Sequence, residues 1–292
     1  MKILRILQVL LITLIITSCA TTKLTEEGEV AYQEENYKAS LETLEQVIES
    51  KESRGKKAKG TTYFKAGKSA LELEQTDKAQ KYLESAELTE YESPELYASL
   101  AKVYKIIDNL SKEINVLEDY HNKYPNGEKI NEITLRLFET YVESENWDLA
   151  VDLWPEIEEK AQNDADLLAG YLIVNKNLEN NSTCDKLALQ IFELDDENII
   201  ALEWYAEKYF WEAENLYVTE MKAYKNNRTT RQYRIVLEAL DEAYPKFRKS
   251  RNYFLKLYRI DPKPEYAKYL GNIYTRLDNK QKADYYYNKA NE

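Results

Sequence analysis

The stretch Tyr253-Phe-Leu-Lys-Leu-Tyr-Arg-Ile-Asp-Pro262, continued by Ala267, Leu270-Gly271, Tyr274, Ala283, Tyr287 and Ala290, decides the fold. Gly271 and Ala283 are small where the two helices of a hairpin must approach closely, and a bulky side chain there would hold them apart. Tyr274 and Tyr287 are large where the same hairpin needs something to bury. The order recurs upstream. A first unit has Gly28, Ala31, Ser40 and Leu44, and a second has Gly67, Ala70, Ala79 and Leu83. A third has Ala101, Tyr104 and Leu117, with Glu113 where a small residue is expected; a fourth has Phe138, Tyr141, Ala150 and Trp154. A fifth has Leu168, Tyr171, Cys184 and Ala188, and a sixth opens with Leu202, Tyr205, Ala206 and Tyr209. The seventh shows Tyr233, Val236, Leu237 and Leu240, then an expected turn at Pro245, then Phe247, Ser250, Phe254 and Leu257.

These units start near 21, 60, 94, 131, 165, 199, 231 and 264, a nearly constant period. A helical hairpin of that size cannot bury its own apolar face, whereas stacked copies share a continuous one. The Leu-Gly-x2-Tyr spacing followed by the small and aromatic pair resembles the tetratricopeptide repeat signature. The resemblance covers nearly the whole chain. It implies an all-α fold, a right-handed superhelical α-solenoid of about eight hairpins over residues 25–292. Seven Gly and six Pro in 292 residues, with few Val and Thr runs, also speak against sheet. Local signals agree: Ser93-Pro94 opens a helix as cap and first residue, and Pro125-Asn126-Gly127 marks a turn. Thr25 before Glu26 and Glu27 reads as a helix cap. Pro155, inside the second helix of the fourth unit, should kink that helix or delay its start. Between 199 and 226 the apolar stripe allows either a hairpin or one long helix.

Residues 1–18 stand apart. Lys2 and Arg5 precede an apolar run from Ile6 to Ile16, followed by Thr17, Ser18 and Cys19. The run is too short to span a bilayer comfortably. It resembles the bacterial lipoprotein signal peptide, which implies acylation of Cys19, a short tether over 19–24, and, with Ala20 next, an outer-membrane address on the periplasmic face. An ordinary secretory signal is the alternative. Cys184 would then be the one remaining thiol, a packed residue rather than a nucleophile.

The formal net charge is −12 and it is unevenly spread. Residues 216–292 hold 17 Lys and Arg against 9 Asp and Glu, whereas residues 19–215 hold 21 against 43. Solvated helix faces account for such charge; it also permits different partners at the two ends, or attraction between copies. No catalytic constellation is found. The sole His121 has no second ligand nearby, the carboxylate pairs fall on solvated faces, and phosphate loops and G-x-S-x-G are absent, so neither metal nor cofactor is expected. Nucleic acid is not expected as a partner of an exported lipoprotein.

In the tetratricopeptide family the concave surface is lined by first-helix residues. Carried onto this sequence, the resemblance assigns to it Tyr32, Phe64, Lys68, Lys102, Lys105, Lys176, Glu203, Glu207, Phe210, Trp211, Lys268, Asn272 and Arg276. Aromatic anchors among charges suit capture of an extended peptide or a partner's helix. The resemblance therefore implies a non-catalytic scaffold or adaptor lipoprotein, binding protein partners of the cell envelope and held to the membrane by its N-terminal lipid. The alternative is an outer-membrane lipoprotein that binds nutrients or glycans. Self-association through the last repeat, on the face carrying Tyr286 and Tyr287, is a further expectation.

Overall fold

The computed structural model describes residues 21–292; the leader 1–18, Cys19 and Ala20 lie outside the described residues. Fourteen helices and no strand are found among the described residues. They fall into two compact units, up to Ser144 and from Glu145 on. The first holds α1 (21–33), α2 (Tyr37–Glu52), α3 (Gly60–Glu72), α4 (Thr76–Glu87), α5 (Pro94–Ile106), α6 (Leu110–Lys123) and α7 (Ile130–Glu143). The second holds α8 (Trp147–Ala161), α9 (Ala165–Asn177), α10 (Asn181–Leu194), α11 (Ile199–Asn226), α12 (Thr230–Ile260), α13 (Pro264–Arg276) and α14 (Lys280–Ala290). Residues 21–24 are helix rather than tether. Thr25 lies inside α1, its hydroxyl donating to the Thr21 carbonyl at 2.8 Å, so it does not cap the helix.

In six of the turns between helices the chain stops and restarts on one device. Glu35, Glu74, Asp108, Glu145, Glu179 and Asp278 all take the left-handed backbone region, with φ between 54° and 59°. After Glu35, Glu74, Asp108, Glu179 and Asp278 the next amide reaches back five residues to a carbonyl otherwise left without a donor. Asn36 donates to Ala31 and Asn109 to Tyr104 at 2.9 Å, and Asn279 donates to Tyr274 at 2.8 Å. The same Asn then caps the next helix: Asn36, Asn109 and Asn279 accept from the amides of Ala39, Lys112 and Lys282. An acidic residue followed by Asn or Gln is thus this chain's stop-and-start word.

Across three hairpins a glycine on the first helix meets a large residue sixteen positions later. A Cβ on Gly28 would come within 2.6 Å of Leu44, one on Gly67 within 2.7 Å of Leu83, and one on Gly271 within 2.6 Å of the Tyr287 ring. Tyrosines close the seams. Their rings sit in the core while their hydroxyls donate to carboxylates at its rim: Tyr82 to Glu45 at 2.9 Å, Tyr104 to Glu84 at 3.1 Å and Tyr141 to Glu118 at 2.8 Å. A chain rich in both Tyr and Glu is what this seam requires.

The expected sixth and seventh hairpins are not separate. Residues 199–226 form one helix, α11, and α12 runs unbroken through Pro245, where a turn was expected. Glu214-Asn215 repeats the stop-and-start word, yet the helix passes through it, with Arg276 of α13 holding Glu214 at 2.8 Å. Ala206 meets not a residue sixteen positions on but the C-terminal half of α12. The Ser250 hydroxyl donates to the Ala206 carbonyl at 2.7 Å, and Phe247 packs edge-on against Phe210 at 6.1 Å. Residues 244–260 therefore supply the second helix of the sixth hairpin, and the sequence between them and Ala213 is an insertion in its turn. Pro155 likewise neither starts nor ends α8. Cys184 is fully buried and its thiol pKa is pushed up to about 11, chiefly by burial, as expected of a packed residue.

Candidate functional site

Two grooves lie between successive first helices, one in each unit. In the first, α5 and α7 enclose about 380 Å³, floored by Ala98, Ala101 and Ile133 and rimmed by Lys102 and Lys105. Small residues on α5 leave the space open. Both lysines are exposed and have no carboxylate partner among the described residues. One wall is Arg136. Its guanidinium takes both oxygens of Glu113 at 2.7 and 3.0 Å, and also reaches Glu139 at 2.9 Å and Glu143 at 2.7 Å. Glu113 is only 2% exposed, standing where the other hairpins place a small residue. The hydrogen bond from Arg136 to Glu113, more than any other interaction, raises the pKa of the arginine, against the opposing effect of its burial.

In the second groove α11 and α13 enclose about 310 Å³ between Phe210, Trp211, Lys268, Tyr269 and Asn272. Phe210 is buried and sets the ring geometry, meeting Tyr269 edge-on at 4.9 Å and Trp211 at 5.1 Å. Trp211 remains 50% exposed. Burial pushes the Tyr269 hydroxyl's pKa up, with Glu207 and Glu265 adding to the shift and a hydrogen bond from Trp211 opposing it. Asn272 accepts from the Tyr287 hydroxyl at 2.9 Å, which fixes the orientation of its amide. Lys268 is exposed and has no carboxylate partner among the described residues.

The structure thus brings Phe210, Trp211, Lys268 and Asn272 together at one groove and Lys102 with Lys105 at the other. The other expected lining residues are spent on structure. Phe64 is a core residue, 7% exposed, packed on Tyr91 at 5.2 Å. Lys68 pairs with Glu72 at 3.2 Å, and Lys176 with Glu207 at 2.8 Å. Glu203 accepts from the Tyr266 hydroxyl. Arg276 is committed to Glu214 and lies 4.4 Å over the Tyr217 ring. Tyr32 meets Tyr37 edge-on, and burial pushes its hydroxyl pKa up to about 12. On α14, Tyr286 stacks on Tyr274 at 5.5 Å and Tyr287 covers Gly271, so both rings face α13; it is Tyr285 that stands exposed. Two features escaped the sequence reading: the Glu113–Arg136 pair and Tyr269. The charged residue at a small position was the only signal for the former.

Among the described residues no cluster of three or more His, Cys, Asp or Glu side chains could hold a metal ion, and no helix is long and apolar enough to cross a membrane. No family model matches the sequence, and no curated protein does. Solved structures do. A candidate protein-binding protein from Bacteroides ovatus aligns over 64% of this chain and 98% of its own at 18% identity and a TM-score of 0.51. MamA of strain AMB-1 aligns over 61% and 93% at 13% identity and a TM-score of 0.50. A tetratricopeptide repeat protein from Parabacteroides merdae aligns over 93% and 92% at 13% identity, with a TM-score of 0.44. At such identities the likeness to the first two is one of fold, an all-α array of helical hairpins.

Proposed function

We propose that this protein is a non-catalytic scaffold that captures an extended segment of a partner protein in its inter-helix grooves. In the same reading Cys19 is acylated and holds it to the outer membrane, facing the periplasm. The observation that carries the binding reading is the α11–α13 groove. A half-exposed tryptophan is held upright there by a buried phenylalanine and flanked by Lys268 and the Asn272 amide. Large aromatic anchors in such settings dominate interface energetics, and truncating one costs about 2 kcal/mol or more, roughly 30-fold in Kd.

The test is a pull-down from solubilised envelopes using the acylated protein and its Trp211→Ala variant. Partners retained by the wild type should be lost by the variant while far-UV circular dichroism is unchanged. Equal recovery would count against the groove. The anchor is tested separately, by mass spectrometry of the N-terminal peptide; an intact leader or a free Cys19 thiol would refute it.

A further inference from the structure

The inserted arm of the sixth hairpin carries a surface that the groove reading does not use. Arg276 of α13 reaches α11 as far as Tyr217. Beyond that residue, the side-chain contacts of residues 218–238 are internal to the arm among the described residues: Gln232 to Glu220 at 3.1 Å, Tyr224 against Tyr233, and Arg234 near Glu238 at 3.8 Å. Only Val236 is buried in this stretch, while Val218, Tyr233 and Leu237 are exposed. Lys222, Lys225, Arg228, Arg231 and Arg234 stand against only Glu220 and Glu238. The first four have no carboxylate partner among the described residues.

The complementary surface is on the same chain. Residues 145–215 carry 18 Asp and Glu against 4 Lys. Within them, α8, α9 and α10 frame a cleft of about 710 Å³, where Trp154 stacks on Tyr171 at 3.9 Å beside Pro155 and Leu187. Glu158 and Glu159 stand exposed at its wall with no cationic partner among the described residues, and Lys186 is the single cation against them in the lining. An aromatic floor under unpaired carboxylates suits arginine beside an aromatic or aliphatic side chain. The arm presents that combination at Arg231, Tyr233, Arg234 and Leu237.

We infer that the arm of one molecule docks into the α8–α10 cleft of a second copy. Donor and acceptor are different surfaces of one chain, so the contact is heterologous. It propagates head to tail until a ring closes or an open filament forms.

Sedimentation velocity tests this on the chain from Thr21 onward, which keeps the whole described fold. At about 50 mM salt the average mass should rise with concentration, and at about 500 mM salt the association should weaken at least ~10-fold, as exposed charge pairs are screened. The arm variant Arg228→Gln/Arg231→Gln/Arg234→Gln should be monomeric, and so should the cleft variant Glu158→Gln/Glu159→Gln. Mixed in equal amounts they should form one-to-one pairs that grow no further, which also shows that both are folded. A wild type that stays monomeric at about 1 mM in low salt overturns the inference, as does either variant associating like the wild type, or a mixture that fails to pair. Wild-type chain that stays monomeric yet binds vesicles containing phosphatidylglycerol would assign the arm to lipid instead and equally overturn it.

Discussion

Gly67→Ala separates close helix packing from helix propensity, because the two act in opposite directions at that site. Gly67 lies inside α3, where alanine would ordinarily stabilise by about 1 kcal/mol. A Cβ there would lie 2.7 Å from Leu83 Cγ, 2.9 Å from its Cδ2 and 2.9 Å from its backbone nitrogen. The leucine side chain could rotate away, but its amide nitrogen is part of α4 and cannot. The helices must therefore separate by several tenths of an ångström along a seam that also holds the fully buried Ala70, Ala79 and Ala86. Overpacking of this kind costs about 1–3 kcal/mol. Net of propensity, the variant should be less stable by up to roughly 2 kcal/mol. At Gly271 the obstructing atoms belong only to the Tyr287 ring, on the half-exposed α14, so Gly271→Ala should cost less than Gly67→Ala. Because a repeat array opens piecemeal, the assay is amide hydrogen exchange in urea, read in α3 and α4 against α13 and α14. Unchanged or increased protection of α3 and α4 in Gly67→Ala would refute the reasoning.

Three further predictions follow from other parts of the molecule. Arg136→Met leaves the buried Glu113 carboxylate without its bidentate partner and should destabilise by about 3–5 kcal/mol, whereas Glu113→Ala/Arg136→Met should recover most of the loss; urea titration of both would show it, and additive losses would refute the coupling. Glu74→Gly should stabilise by up to about 1 kcal/mol, since a non-glycine residue in the left-handed region costs roughly 1–2 kcal/mol and glycine's freedom in the unfolded chain returns only part of that. Burial, first of all, raises the Tyr32 and Tyr205 pKa values from 10.0 to about 12. A raised tyrosine pKa favours the neutral, folded form, so its contribution is complete below pH 10 and is lost as pH climbs through about 12. Absorbance of tyrosinate near 295 nm should then rise in two stages, the later one together with loss of helix; a single step near pH 10 would contradict the assignment.

The hairpin architecture was legible because its cause is local. Gly28 with Leu44, Gly67 with Leu83 and Gly271 with Tyr287 are each sixteen residues apart, and that spacing is the geometry of two helices crossing with nothing between them. The hairpin count, about eight expected and seven found among the described residues, turns on arithmetic of the same kind. Ala206 finds Ser250, forty-four positions away, because the insertion is almost one repeat long and keeps the count in step. The stop-and-start word was also in plain view, at Glu35-Asn36, Glu74-Gln75 and Asp278-Asn279, and its failure at Glu214-Asn215 depends on Arg276, sixty-two residues downstream. Of the site, first-helix position placed Trp211, Lys268 and Asn272 at one groove, since neighbouring repeats share a register. It misplaced Phe64, whose fate depended on Tyr91 in the connection between α4 and α5, where the repeat imposes no order. Glu113 was unreadable for a related reason: its neutralising cation lies on the following repeat.

Helix α11 spans both the second groove and the inserted arm. The same rod that positions Trp211 continues without a joint to Asn226, some 20 Å farther on at 1.5 Å per residue. Its near end is clamped by Phe210, Phe247 and the Ser250 hydroxyl, and Arg276 braces its middle from α13. With no break in the helix between Trp211 and Asn226, a turn of the tip meets no hinge before it reaches the Glu214–Arg276 brace.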